Sequence, residues 1–462
     1  APDLFQRRKW SFQSLLVVQQ VTDPRPTRQH RPGTGIACGR PARPIKGRPT
    51  LEFGMPSRIL LADCDAMFCA VARLEDPDGA GRAAILVVGG TRGSRGVVTS
   101  ASYEARAYGI RAGLPIRTAE RLCPTAQFVP VPRDAVRQKS REARAVLEEW
   151  SPVVEPASID EFYLGMDGTE ALYRHEPLAE TAARIRADLL TRTGLALSFG
   201  GGTNRLIAKL AVSRAKPRAG SDGTGVHVVP AGSEAEFVAG LELADIPGVG
   251  PRLAENLRKR GLIRVRDALP MSVQDLELWL GTRTGRWLFD RMRGRGSAEV
   301  RGRSEARSVS RETTFESDLA GDEDLDRVLV SLTHSVCRDL RKAGLEARTI
   351  TLKLRDHDFR TRNASRTLDT PVTTDQGVLP VARELLHRLR AARRVPARLL
   401  GVGFSQLSPR GGAGQTSLFG EPTGHETGRD RRLAETMDRI QQRFGTGAIG
   451  PGRLVEPEEP EG

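Results

Sequence analysis

The chain has 462 residues, of which 71 are lysine or arginine and 57 are aspartate or glutamate, giving a formal net charge of +14. At roughly 150 residues per domain, this length excludes a single small module and predicts about three domains. The positive charge favours a polyanionic partner such as nucleic acid over an acidic protein or an apolar partner, and a basic surface without a specific partner is the alternative.

Cysteines and apolar runs limit the class of protein further. The five cysteines are odd in number and contain no Cys-x-x-Cys pair, which predicts a reduced, intracellular protein rather than a disulfide framework. The longest apolar runs, such as residues 15–18 and 85–88, are much shorter than the roughly 18 residues of a membrane span. We therefore expect no transmembrane helix and no membrane partner.

The N-terminal segment differs in composition from the rest of the chain. Residues 1–54 contain ten lysine or arginine residues and three acidic ones, and residues 23–49 are dense in Pro, Gly and Arg. Such a segment buries too little apolar surface to order itself, so we predict a disordered basic extension over residues 1–56. Two alternatives are open, a weak targeting segment and an upstream-start artefact that precedes a natural start at Met55.

From Ser57 onward, strand-like runs alternate with helical patterns. The predicted strands are 59–61, 85–88, 96–101, around 153, 162–164 and 195–199. The predicted helices are 115–122, 134–150, 179–190 and 203–214. This alternation predicts an α/β core.

The second half of the chain contains a helical region and a second small domain. Residues 241–295 have helical patterns with turn signals, and the Arg/Gly-rich residues 291–307 are typical of a linker. The following order is strand 308–315, helix 325–343, strand 348–354, strand 365–368, helix 377–394 and strand 399–406. This βαββαβ order predicts a second α/β domain. A Gly/Pro-rich segment follows, with one amphipathic helix over 431–444.

Carboxylates occur at two strand ends. An apolar strand ends in Asp63-Cys64-Asp65, and Asp160-Glu161 lies between two strand-like runs. Two carboxylates held about 4 Å apart repel by about 4 kcal/mol at an effective dielectric constant of about 20, and a cation would remove this cost. Asp63, Asp160 and Glu161 therefore form a candidate two-metal site for Mg²⁺. Taken singly, the first motif also fits a plain turn and the second a surface hairpin.

Two further segments suit phosphate groups. If Tyr103 begins a helix, Arg106 lies one turn further on the same face, although an ordinary surface pair is equally compatible. Residues 198–217 predict a strand, a glycine turn and a capped helix, but their spacing does not match GxxxxGK[ST]. Lysine is scarce in this chain, with eight in total, and Lys209 lies off the apolar stripe of that helix.

A Pro-Gly-Val-Gly turn at residues 247–250 opens another predicted helix. The backbone N–H groups of Gly248 and Gly250 in such a helix-hairpin-helix can hold a DNA phosphate without reading sequence. A simple turn between helices is the alternative.

In this order and spacing, the five motifs resemble those of the Y-family DNA polymerases, most closely the DinB-type enzymes of bacteria, over roughly residues 57–407. The resemblance implies an α/β and α+β multidomain fold. Its parts are a palm (57–66 and 132–222), fingers (67–131), a helical thumb (223–295), a linker (296–307), a little finger (308–408) and a flexible tail (409–462).

The resemblance also implies a role for each motif. Two catalytic Mg²⁺ ions would be bound by Asp63, Asp160, Glu161 and the backbone carbonyl of Cys64. Phe68 would be the steric gate, an aromatic ring that blocks a ribose 2′-OH. The incoming triphosphate would contact Ser100, Tyr103, Arg106 and Lys209, and DNA would contact Gly248, Gly250 and Arg311.

The tail segment Gln415-Thr416-Ser417-Leu418-Phe419 resembles a peptide that binds a sliding clamp, the β subunit. Gln415, Leu418 and Phe419 would enter a preformed pocket of the clamp, although a QxxLF match can arise by chance.

The implied function is template-directed, error-prone translesion synthesis from dNTPs on primer-template DNA, without proofreading, by a monomer in the bacterial cytoplasm at the nucleoid. Met67, Ala72 and Gly165 depart from the family pattern without removing a metal ligand. One rival is a non-catalytic relative that binds DNA and the clamp, which the intact acidic residues disfavour. The other is a palm-type nucleotidyl enzyme that acts on free nucleotides, such as a cyclase, for which the helix-hairpin-helix and the little finger would have no purpose.

Overall fold

The computed structural model describes residues 14–17, 56–217, 223–302, 306–411, 425–445 and 448–452. The chain divides into an N-terminal unit (residues 33–304) and a C-terminal unit (residues 305–462 together with residues 1–32). The strands are β1 (Ser14–Val17), β2 (Ile59–Cys64), β3 (Leu86–Val88), β4 (Ser100–Ala101), β5 (Gln127–Val129), β6 (Val153–Pro156), β7 (Glu161–Gly165), β8 (Leu197–Gly202), β9 (Val226–Val228), β10 (Ser308–Leu319), β11 (Leu345–Asp356), β12 (Thr361–Val372) and β13 (Ala397–Pro409).

The helices connect these strands in the order that the sequence predicts for most of the chain. They are α1 (Met67–Glu75), α2 (Tyr103–Ala107), α3 (Ile116–Leu122), α4 (Arg133–Trp150), α5 (Leu178–Thr193), α6 (Arg205–Ala215), α7 (Glu234–Ala239), α8 (Pro251–Arg258), α9 (Val265–Ala268), α10 (Val273–Leu280), α11 (Thr282–Arg291), α12 (Asp322–Lys342), α13 (Asp375–Ala392) and α14 (Gly428–Phe444). Among the described residues, no helix combines the length and the apolar character needed to cross a bilayer.

The main sheet of the N-terminal unit has the strand order β6-β7-β2-β8-β9, and its central strand β2 pairs antiparallel with both β7 and β8. Leu60 and Ala62 pack into a core that also contains residues of α4 and α5. Ile59 and Leu61 pack on the other face against Ala208 of α6. Burial on both faces explains the continuous apolar run of this strand, and the predicted α/β core is confirmed.

The glycines at residues 200–202 were predicted to form a turn, but they are the last three residues of β8, and Gly200 serves packing. A Cβ atom at Gly200 would lie 2.2 Å from the carbonyl oxygen of Ala208 and 2.2 Å from the backbone nitrogen of Val212. The glycine therefore lets α6 approach the sheet closely. This packing role explains why the segment is rich in glycine although its spacing does not match a phosphate-binding loop.

A smaller sheet with the strand order β4-β3-β5 forms the core of the predicted fingers, together with α2 and α3. The strand predicted over residues 96–101 is shorter than expected, because only Ser100–Ala101 forms a strand and Val97 makes an isolated bridge with Pro115. The helix that the sequence makes conditional on Tyr103 is present as α2.

Helices α7 to α11, in the region predicted as a thumb, pack into a further core that also contains Leu206 and Leu210 of α6. The turn at residues 247–250 opens α8, as the sequence predicts. Gly248 has φ +103°, and a Cβ atom there would lie 2.5 Å from the ring of Trp287, so this turn requires glycine.

The C-terminal unit is an antiparallel sheet with the strand order β1-β10-β13-β11-β12, whose apolar face packs on α12 and α13. Its strand and helix order confirms the predicted βαββαβ domain. The prediction of disorder is wrong for residues 14–17, which form β1 and pair antiparallel with β10. The unpaired backbone groups of an edge strand accept such an apolar segment as an additional strand.

Helix α14 packs on the same unit. The prediction that residues 409–462 form a flexible tail is therefore wrong for this helix. The carboxylate of Asp438 binds Nε and Nη2 of the buried Arg341 at 2.7 and 2.8 Å. Glu426, just before the helix, accepts hydrogen bonds from the backbone N–H groups of Thr373 and Thr374 at 2.8 Å. Hydrogen bonds to charged groups hold this part of the tail in place.

Candidate active site

Two of the predicted metal ligands face each other across neighbouring strands. In the register of β2 and β7, Asp63 pairs with Glu161, and on the other side of β2 it pairs with Ser198. Side chains at such directly opposed positions have Cβ atoms roughly 4.5–5.5 Å apart. The sheet register therefore fixes two carboxylates close together at one sheet end.

Two lysines from α6 and its C-terminus neutralise this pair. Lys216 Nζ lies 2.6 Å from Asp63 Oδ1, and Lys209 Nζ lies 3.5 Å from Asp63 Oδ2. Lys209 also donates a hydrogen bond to Glu161 Oε1. The sequence singled out Lys209 but missed Lys216. The signal that could have found it is the placement of two of the eight lysines on one short segment.

The pKa values of these groups follow from burial and charge. Burial raises the pKa of Glu161, and Lys209 partly opposes this effect. Burial disfavours the charged form of Lys209, but the charge of Glu161 and its hydrogen bond outweigh burial and raise the lysine pKa. Each partner thus favours the charged form of the other.

Asp160 and Cys64 lie beside this pair in a different arrangement. The carboxylate of Asp160 accepts a hydrogen bond from Ser158 Oγ, while its backbone oxygen accepts one from Cys64 N at 2.9 Å. In the described part of the chain, no three acidic, His or Cys side chains are gathered as metal ligands. Burial raises the pKa of the Cys64 thiol, so the thiol stays protonated.

A fourth carboxylate, Asp65, is held by side chains of β8 and α2. Ser198 Oγ lies 2.9 Å from both carboxylate oxygens of Asp65, and the Tyr103 hydroxyl donates to Asp65 Oδ1 at 3.2 Å. Burial raises the pKa of Asp65, and the hydrogen bond from Ser198 opposes this. The Asp-x-Asp motif contained this residue, but the sequence assigned it no role.

Three of the four predicted triphosphate contacts lie on α2 and the strand before it, and the fourth, Lys209, lies on α6. The Arg106 guanidinium lies 4.6 Å from the Tyr103 ring centroid, and Arg106 Nε donates to the carbonyl of Ala101 at 3.0 Å. Ser100 is buried, and its Oγ lies 3.6 Å from Cys69 Sγ. The predicted shared face of Tyr103 and Arg106 is therefore present.

Phe68, the predicted steric gate, is the second residue of α1. Ala66 caps this helix in the left-handed conformation with φ +48°, which turns the chain sharply after β2. Phe68 is half-buried and packs against both the main core and the core at the start of the fingers. The turn at Ala66 lies between Asp65 and this helix, so Phe68 is close in the chain to both Asp63 and Asp65.

The predicted DNA contacts differ in their surroundings. Nothing lies within 4 Å of a Cβ atom built at Gly250, so the approach to the start of α8 is open there. Arg311 is mostly buried and donates from Nε to Asp339 Oδ2 at 2.5 Å. The clamp-binding residues Gln415, Leu418 and Phe419 lie outside the described residues.

Comparisons with known proteins agree with this arrangement. The impB/mucB/samB family model matches residues 62–213, and the model of its C-terminal domain matches residues 306–418. DNA polymerase IV of Desulfatibacillum aliphaticivorans is 34% identical over 86% of this chain and 96% of that protein. DNA polymerase IV of Dehalococcoides mccartyi (strain CBDB1) is 33% identical over 86% of this chain and 97% of that protein. The chain belongs to the Y-family DNA polymerases, in the DinB-type branch.

Solved structures show the same fold. A Y-family DNA polymerase chimera matches 76% of this chain and 98% of its own with a TM-score of 0.66 and 24% identity. DinB from Sulfolobus solfataricus matches 75% of this chain and 98% of its own with a TM-score of 0.52 and 24% identity. As a DinB-type polymerase, the chain is a DNA-directed translesion polymerase that uses DNA and dNTPs. Membership of the family also implies dependence on divalent metal ions.

Replacing Lys216 tests the charge balance of the site. We expect Lys216→Met to destabilise the metal-free protein by about 1–3 kcal/mol, because Asp63 then loses a charged hydrogen-bond partner in a mostly buried position. Calorimetry in the presence of a chelator would show this as a lowered Tm. Lys259→Met, at an exposed position of the same unit, is the control and should change stability by less than about 0.5 kcal/mol. Equal Tm values for both variants would contradict the assigned role of Lys216.

Proposed function

We propose that Asp63, Asp160 and Glu161 bind two Mg²⁺ ions, with the Cys64 backbone carbonyl as a further ligand, and that this site joins dNMPs to a primer 3′-OH. The opposed Asp63 and Glu161, with the ammonium group of Lys209 in contact with both, carry the proposal. The ammonium of Lys209 contacts both carboxylates, as a metal ion would.

The donor set fits Mg²⁺ chemically. Carboxylate and carbonyl oxygens are hard ligands, and Mg²⁺ is usually held by one or two carboxylates together with substrate phosphates. Asp160 would complete the set by rotating its half-buried side chain away from Ser158. Because the Asp160 backbone is hydrogen-bonded to Cys64, the residue already lies next to the strand that carries Asp63.

Mg²⁺ ions held by these residues would supply activation of the primer 3′-OH and neutralisation of the charge on the departing pyrophosphate. The side chains of this protein position the reactants. Arg106 and Tyr103 would bind phosphate oxygens by bidentate charge and by a hydrogen bond, with Ser100 next to them in the chain segment that precedes α2. The Tyr103 hydroxyl has one proton, so it would exchange Asp65 for a phosphate oxygen.

Lys209 and Lys216 would change partners during this process. Without substrate they neutralise Asp63 and Glu161. With substrate present, their ammonium groups would bind the triphosphate and leave the carboxylates to hold the metal ions. Both states keep the charges of this partly buried site balanced, which lowers the electrostatic cost of either state. The exchange therefore couples the loading of metal and of triphosphate.

The other parts of the chain would hold DNA. The backbone N–H groups of Gly248 and Gly250 would bind phosphates at the start of α8, and Arg311 would exchange Asp339 for a phosphate. We further propose that the enzyme is a monomer that acts without proofreading at the bacterial nucleoid, and that residues 415–419 recruit it to the sliding clamp. A non-catalytic relative would not need the opposed carboxylates and their lysines.

Primer extension tests the metal ligands. Asp160→Ala should lower the rate of extension with Mg²⁺ and dNTPs by about 10³-fold or more, since electrostatic stabilisation by a bound metal supplies several kcal/mol. Asp167→Ala removes an exposed carboxylate that follows β7 and should leave the rate near that of the unchanged protein. Both variants should bind primer-template DNA in chelator. Undiminished extension by Asp160→Ala would refute the proposal.

Sugar selection tests Phe68. Phe68→Ala should reduce the preference for dNTPs over rNTPs, measured as a ratio of kcat/KM values, by about 10- to 100-fold, because a small side chain no longer excludes the 2′-OH. Phe128→Ala removes a half-buried ring from the fingers and should leave this ratio unchanged. The same selectivity in both variants would place the gate elsewhere.

Clamp stimulation tests the tail peptide. Replacing Leu418 and Phe419 with alanine should leave basal extension unchanged and abolish its stimulation by the β clamp, because the apolar anchor is lost. Replacing Thr416 and Ser417 with alanine in the same peptide is the matched control and should retain stimulation. Stimulation that persists without Leu418 and Phe419 would show that the peptide is not the clamp contact.

A further inference from the structure

The turn between β11 and β12 presents an aromatic ring to solvent. Phe359 is 64% exposed and has φ +66°, a backbone region that bulky residues rarely adopt. Such positions persist only where the surrounding structure holds them, and they concentrate at functional sites. We therefore ask which contacts hold Phe359 in this conformation and what its exposed ring could bind.

The structural cause is a set of ion pairs and backbone hydrogen bonds around the turn. The fully buried carboxylate of Asp356 binds Arg362 Nη2 and Arg393 Nη1, each at 2.7 Å. Asp358 binds Arg393 Nη2 at 2.8 Å. The backbone N–H of Phe359 donates to the Asp356 carbonyl at 3.0 Å. These contacts fix the conformation of the turn and keep the Phe359 ring exposed to solvent. A partner that binds the ring therefore does not have to order a mobile loop first, which would cost entropy.

The charge around the ring is positive. The Arg398 guanidinium lies 4.6 Å from the centroid of the Phe359 ring, and Arg360 is exposed next to it in the chain. The two acidic residues of the turn are each bound to at least one arginine. The partner that suits an exposed ring surrounded by arginines is a polyanion that also has flat aromatic faces, which is nucleic acid.

We propose that Phe359 stacks on an unpaired base of single-stranded template DNA, with Arg360 bound to a neighbouring phosphate. Bases in a duplex already stack on their neighbours, so a side chain at the tip of a turn reaches a free base face only in a single strand. This contact goes beyond the proposed roles of the palm, thumb and tail. Through this contact, the little finger would bind uncopied template DNA without a preference for sequence, because every base has a flat aromatic face.

Binding of single-stranded DNA to the full-length protein tests this contact. Phe359→Ala should weaken binding of a fluorescently labelled single strand by about tenfold and leave binding of a blunt duplex unchanged. Phe359→Trp should retain the affinity, whereas Phe359→Leu should lose it although it keeps apolar bulk. The matched control is Phe444→Ala, which removes another ring that is 67% exposed and also lies against an arginine, at the end of α14. This control should bind as the unchanged protein does.

Salt dependence and base stacking give independent readouts. Arg360→Ala should reduce the slope of log affinity against log salt by about 0.7, the value for one lost phosphate contact on a single strand, while Phe359→Ala should leave the slope unchanged. A 2-aminopurine base in the strand should be quenched by the unchanged protein and by Phe359→Trp, but not by Phe359→Ala. Single-strand affinity or quenching that is the same in Phe359→Ala as in the unchanged protein would refute the proposal and leave a protein partner for this ring.

Discussion

The repulsion between Asp63 and Glu161 is the constraint on which the N-terminal unit depends. Their strands pair in a register that opposes the two carboxylates, and a sheet register cannot shift by one residue without turning every side chain to the other face. At a separation of about 4 Å, two such charges repel by about 4 kcal/mol at an effective dielectric constant of about 20. The fold therefore has to supply cations at this end of the sheet.

Helix α6 and the residue that follows it supply them, and the position of the helix depends on a glycine in β8. A Cβ atom at Gly200 would overlap the backbone of α6, so the glycine lets the helix lie close to β8. Lys209 and Lys216 are seven residues apart, about two helical turns, and both reach Asp63. The glycine in β8 thus allows the close approach of α6, and the lysines then compensate the repulsion between Asp63 and Glu161.

The sequence predicted the order of strands and helices well, because apolar periodicity is local. The proposed metal ligands Asp63, Asp160 and Glu161 also come from a local signal, which is acidic residues at strand ends. The sequence missed the ion pair of Asp63 with Lys216, which joins residues 153 positions apart in the chain. Nor could it predict that the Asp160 carboxylate turns to Ser158, because periodicity does not determine a side-chain rotamer.

Errors at the chain ends have a related cause. The four residues of β1 belong to a segment whose composition cannot order it alone, and they become a strand because β10 offers an unpaired edge. Helix α14 was predicted from its amphipathic pattern, but its packing depends on Arg341, whose buried guanidinium requires the carboxylate of Asp438. Composition indicates only whether a segment can fold by itself. The segments that order β1 and α14 are about 100 or more residues away in sequence, so composition does not reveal them.

The buried carboxylates of Asp356 and Asp63 are bound by different cations, and the difference matches their tasks. In the C-terminal unit, Asp356 is bound by the guanidinium groups of Arg362 and Arg393, whose rigid, planar donors suit a permanent pair. In the N-terminal unit, Asp63 is bound by lysines, although only eight of the 71 basic residues are lysine. An ammonium is a point charge on a flexible stem, so it can leave one oxygen for another without a fixed geometry. A turn that only supports the fold needs permanent ion pairs. A site that must bind a metal ion and a triphosphate needs ion pairs that can separate.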